Sequence, residues 1–171
     1  TDGDGLEDNA DMFWDNASGL RSAIGMDLTP PSYALGNGVL TVGKTRCVLV
    51  LDTDGDDKAD KEIEVTKRWN ESFHAVDGLG VALDPKNHSI YYGRGTYNFV
   101  DPFLKDKEGK PHYSLTDESG AIIRVSPDLK SHEIVATGIR FPVALLFNRH
   151  GDLFATDQEG ATWVPNGNPF D

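Results

Sequence analysis

The chain has 171 residues, 38% of them apolar, a mean hydropathy of -0.42 and a formal net charge of -12. That charge excludes a nucleic-acid ligand, whose phosphates demand a basic face, and an anionic membrane surface. A single cysteine, Cys47, excludes an internal disulfide framework and any paired-cysteine zinc site. No apolar run approaches the roughly 18 residues of a membrane span.

In chain order, the first feature is an acidic phrase, Thr1-Asp2-Gly3-Asp4-Gly5-Leu6-Glu7-Asp8, which recurs without a gap at an offset of 52 residues as Thr53-Asp54-Gly55-Asp56-Asp57-Lys58-Ala59-Asp60. Carboxylates at alternating positions converge their oxygens when the backbone curls round one centre, and a hard cation such as calcium offsets their repulsion. The second copy is the fuller, with Asp52, Asp54, Asp56 and Asp60 at loop positions one, three, five and nine and the Lys58 carbonyl at seven. The first offers Asp2, Asp4 and Asp8. Asp57 stands where the EF-hand loop has glycine, and Ile63 stands where it has its bidentate glutamate, which leaves Glu62 or Glu64 to reach in. The plainer alternative is an acidic turn without an ion.

Between and beyond the acidic phrases lie short segments rich in β-branched residues, and no amphipathic helix. Gly19-Leu20-Arg21 runs into a strand ending at Leu28, the Pro30-Pro31 turn follows, and then come strands at Gly38 to Val42, Thr45 to Leu51 and Glu62 to Thr66. The next set is Gly80 to Leu83, a turn at Pro85-Lys86-Asn87, Ser89 to Gly93, a long insertion from Thr96 to Glu118, Ala121 to Ser126, and Glu133 to Ala136. The last is Gly138-Ile139-Arg140 leading to Phe147, a turn at Arg149-His150-Gly151, and Asp152 to Thr156. Leu28, Leu83 and Phe147 recur at steps of 55 and 64 residues, the size of a β-propeller blade with long loops. The chain therefore reads as all-β: about three blades of antiparallel strands, residues 1–171 forming a fragment of one propeller domain.

Chemistry centres on few residues. His74, at the mouth of the strand from Gly80, suits a general base, with a surface or structurally hydrogen-bonded histidine as the alternative. His88, His112, His132 and His150 lie in turns and polar loops and read as solvated. Arg140 either contacts an anionic ligand or braces blade to blade. Asp157, Gln158 and Glu159, at a strand end, can bind a cation or a sugar-like ligand, or form a solvated turn.

From Gly138 through Gly160, with the phrases Asp52 to Glu62 and Ala136 to Asp171, the sequence resembles the glucose/sorbosone dehydrogenase family of soluble quinoproteins, and more closely the bacterial membrane-bound dehydrogenase domain proteins, often fused to a c-type cytochrome. The resemblance implies a six-bladed propeller, calcium and pyrroloquinoline quinone as cofactors, and oxidation of a sugar or other alcohol with electrons passed to a cytochrome. It also implies a periplasmic or other extracytoplasmic setting. It assigns His74 as the catalytic base, Arg140, Gln158 and Glu159 as cofactor contacts, and Gly160 and Asp171 to a calcium site. The chain departs from the family at Gly95-Thr96, where an aspartate would orient the base. That departure supports a second expectation, a non-catalytic, calcium-stabilised propeller that binds a glycan or protein partner.

Overall fold

The computed structural model describes residues 9–31, 33–66, 68–70, 77–96, 105–111, 115–116 and 118–158. Among them no helix forms, and none is long and apolar enough to cross a membrane. The described residues hold ten strands in three antiparallel sheets. The first sheet is a meander of β1 (Gly25–Leu28), β2 (Asn37–Val42), β3 (Cys47–Asp52) and β4 (Lys61–Glu64). The second repeats it with β5 (Gly78–Leu83), β6 (Ile90–Arg94), β7 (Ala121–Val125) and β8 (His132–Thr137). The third is a hairpin of β9 (Pro142–Phe147) and β10 (Leu153–Asp157). Among the described residues no sheet closes on itself.

The three sheets stack through their leading strands, β1 against β5 and β5 against β9. Gly25, Gly80 and Ala144 hold equivalent places in the 55- and 64-residue steps, and they meet in line. A Cβ on Gly25 would collide with the Leu79 carbonyl oxygen, and one on Gly80 would come within 2.9 Å of the Ala144 backbone. Small residues at this place let neighbouring backbones approach, which any larger side chain would prevent. Asp27 adds a polar clamp. Its Oδ2 accepts the Leu83 N–H at 2.8 Å, an amide on the free edge of β5.

Alternation along each strand divides the core into two seams. In the first, Leu40, Val42, Cys47, Leu49 and Leu51 of the first sheet pack with Val81, Leu83, Ile90, Tyr92, Ile123 and Val125 of the second. In the second, Ala82, Tyr91 and Ile122 face Leu145 and Phe147, with the Tyr91 and Phe147 rings edge-on at 5.2 Å. All of β3 is buried because both its faces are covered: Val48 and Val50 lie under Phe13, Trp14 and Leu20 of the N-terminal segment. That explains its continuous apolar run. Burial pushes the Cys47 thiol well above its ordinary pKa.

Candidate metal centre

The acidic loop joins β3 to β4, on the outer side of the first sheet. Gly55 at φ 84° and Asp57 at φ 65° take the left-handed conformation, and these two residues turn the chain back on itself. Aspartate is among the few non-glycine residues that tolerate this region, so Asp57 does what glycine does in the EF-hand loop. Asp52 organises the curl. Its Oδ1 accepts the N–H groups of Gly55 at 2.6 Å and Asp54 at 3.2 Å, and its Oδ2 accepts that of Asp57 at 3.0 Å. The Gly55 N–H, backed by those of Asp57 and Asp54, holds the Asp52 carboxyl below the usual carboxylate range.

The remaining carboxylates are set by the same local logic. Asp54 accepts the Asp56 N–H and Asp56 accepts the Lys58 N–H. Asp60 reaches back to the Thr53 hydroxyl at 2.8 Å. One oxygen each of Asp52, Asp54 and Asp60 lies within 4.8 Å of the others, an oxygen-only set of the kind a hard cation takes. Asp56 stands outside that set, and Lys58 is exposed beside it. Glu62 and Glu64 do not complete the loop as a twelfth-position ligand would. Both face the buried Arg46 guanidinium at 3.6 Å, and Glu64 also pairs with Arg68. Ala59 anchors the far side by packing with Val48 and Val50 and donating its N–H to the Phe13 carbonyl at 2.7 Å.

The second group of expected site residues is divided. Arg140 is 4% exposed, and its Nη1 donates to the Gln158 carbonyl oxygen at 2.7 Å. The Asp157 carboxylate accepts the backbone N–H groups of Arg140 and Phe141 at 3.1 and 2.6 Å, so these side chains tie the end of the third sheet together. Gln158 is exposed, with its backbone N–H on the Phe141 carbonyl. His74, Glu159, Gly160, Asp171, Asp2, Asp4 and Asp8 lie outside the described residues, as does His112.

One polar cluster has no precursor in the sequence pattern. Glu118, itself at φ 64°, accepts the Tyr92 hydroxyl at 3.0 Å and faces His132 at 3.0 Å and Arg94 at 4.0 Å. Arg94 lies over the Trp69 ring, which stacks on Tyr92. His132 is exposed, as the sequence suggests, and also has a carboxylate partner, while His88 packs edge-on against Tyr33. Only the positive φ at Glu118 singles this cluster out, and no residue pattern announces it. Compared with protein-family models, with curated proteins and with solved structures, the chain finds no match.

Proposed function

We propose that this chain is part of a calcium-stabilised β-propeller of the quinoprotein type. The observation that carries the reading is the contact of Gly25, Gly80 and Ala144, which sets three successive antiparallel sheets side by side by their leading strands, as blades stand round an axis. The acidic loop supplies the calcium part. Asp52, Asp54 and Asp60 offer converging oxygens on a hairpin already curled by Gly55 and Asp57. Calcium here would act as a staple on the outer hairpin, and not as a reagent.

The oxidation of a sugar or alcohol rests on the resemblance of residues 138–160 and on His74 as base. Arg140 is buried and its Nη1 donates to the Gln158 carbonyl, a contact that supports the bracing role rather than the cofactor contact. This favours the second reading, a non-catalytic propeller that holds a glycan or a protein partner.

Thermal melting of the chain with calcium alone, the quinone alone and both together separates the parts. A ligand that binds only the folded state at a hundred times its Kd adds about 2.7 kcal/mol, worth roughly 5 to 10 °C in Tm for a domain of this size. We expect that rise with millimolar calcium. An unchanged Tm would remove the calcium staple, and a further rise with the quinone, accompanied by dye reduction in the presence of sugars, would restore the dehydrogenase over the scaffold.

A further inference from the structure

A cleft of about 290 Å³ opens where the end of the first sheet meets the β7–β8 turn of the second. Val65, Val125 and Leu129 give it an apolar wall, and Thr66, Lys130, Ser131 and His132 supply its polar groups. Ligand pockets run from roughly 300 to 1,000 Å³ and combine an apolar lining with a few placed polar groups, so this cleft suits a small molecule. Two features set it apart from an ordinary surface dip. The Thr66 hydroxyl is buried and has no hydrogen-bond partner among the described residues, a state that costs free energy until an outside group completes it. Leu129 in the wall holds φ 60°, and Glu118, the carboxylate on His132, holds φ 64°. Neither residue type enters the left-handed region easily, and such strain gathers at ligand sites.

The charges round the cleft decide what it takes. Glu118 is already engaged by the Tyr92 hydroxyl, by His132 Nε2 and by the Arg94 guanidinium, so it orients the imidazole and offers a ligand nothing more. Asp128 accepts the Ser126 hydroxyl and the Lys130 N–H, and stands 3.8 Å from the Lys130 ammonium. Lys130 is therefore a loosely paired cation beside the Thr66 and Ser131 hydroxyls. We propose that the cleft binds a small carboxylic acid with a short branched apolar body. The carboxylate meets the Lys130 ammonium and the Thr66 hydroxyl, and the hydrocarbon lies on Val65, Val125 and Leu129. A carboxylate accepts from a cation and a hydroxyl at one point, as a neutral or cationic ligand does not. The net charge of -12 repels free anions at long range, so the affinity rests on these contacts and is modest.

The test is calorimetric titration of the whole chain, without calcium, with isovalerate, isoamyl alcohol and acetate. Saturable binding is expected for isovalerate, with the alcohol, which lacks the charge, and acetate, which lacks the apolar body, each weaker by about tenfold or more. Thr66→Val keeps the shape and removes the hydroxyl. It should weaken isovalerate about tenfold while Tm stays level or rises, because an unpartnered buried polar group has gone. Lys130→Gln, at an exposed site, should weaken it by about the same factor with strand content unchanged by circular dichroism. Absence of saturable isovalerate binding would overturn the proposal. So would isovalerate binding that survives both substitutions, or an alcohol or acetate that binds as tightly as the acid. Calcium takes no part, so failure here leaves the calcium reading standing.

Discussion

The first and second sheets reverse direction between their last two strands in different ways. Between β7 and β8 the chain turns from Ser126 to Ser131, closed by the Ser126 N–H on the Ser131 carbonyl and by Leu129 at φ 60°. A single carboxylate, Asp128, takes the Ser126 hydroxyl at 2.6 Å and the Lys130 N–H. Between β3 and β4 the same reversal runs from Thr53 to Asp60, two residues longer, with Asp52 just before it and five aspartates in all. One carboxylate suffices to make the turn. The longer turn spends its further carboxylates on the Asp56 and Lys58 N–H groups and the Thr53 hydroxyl, and leaves one oxygen each of Asp52, Asp54 and Asp60 within 4.8 Å of the others, the arrangement that the proposed calcium would use.

The largest break in that comparison comes from Asp52→Ala. Three loop N–H groups lose their acceptor, and the set within 4.8 Å loses a member. Melting without calcium should show Tm down by about 5 °C, and the rise with millimolar calcium should vanish. A calcium response that survives would place the ion elsewhere.

Acidification sharpens the comparison by a smaller step. The Asp52 carboxyl is depressed chiefly by the Gly55 N–H and the Asp128 carboxyl chiefly by the Ser126 hydroxyl, so in this range the unfolded chain binds more protons than the folded one. Their stabilisation is complete above the ordinary carboxylate value near 4 and is lost as pH falls through the lower folded values. Chemical denaturation followed downward from about pH 5 should therefore show falling stability, with a shallower slope in Asp52→Asn. Equal slopes in the two proteins would contradict the role given to Asp52.

The smallest effect belongs to the plain turn. Asp128→Ala removes one hydroxyl and one amide contact at an exposed site, and Tm should move by about 2 °C or less while the calcium response stays whole. Loss of that response would erase the distinction between the two hairpins.

Among the described residues every strand overlaps a segment that the sequence marks by β-branched residues and flanking turns, although Glu62 to Thr66 overlaps β4 only in part and Thr45 to Leu51 starts two residues before β3. Gly38 to Val42 became β2 and Ser89 to Gly93 became β6 with shifts of one residue. The 55- and 64-residue steps marked the stack too, since the close approach at Gly25 and Gly80 needs small residues at a fixed place in each unit. The site was less legible. Spacing puts Asp56 in the ligand set, and the structure holds its carboxylate on the Lys58 N–H, outside the group of oxygens within 4.8 Å of one another. Glu62 and Glu64 were available by position and are held by Arg46, a partner contributed by the other end of β3. The Glu118 cluster joins three distant stretches of chain, and no local pattern encodes such a meeting.

Cys47 gives the first seam a reporter of its own. It is the lone thiol, fully buried at the start of β3 among residues of both the first and the second sheet, and burial keeps it protonated and inert. An alkylating reagent can reach it only when those two sheets part. Its labelling rate is therefore a clock for the opening of that seam, readable by mass without any engineered probe.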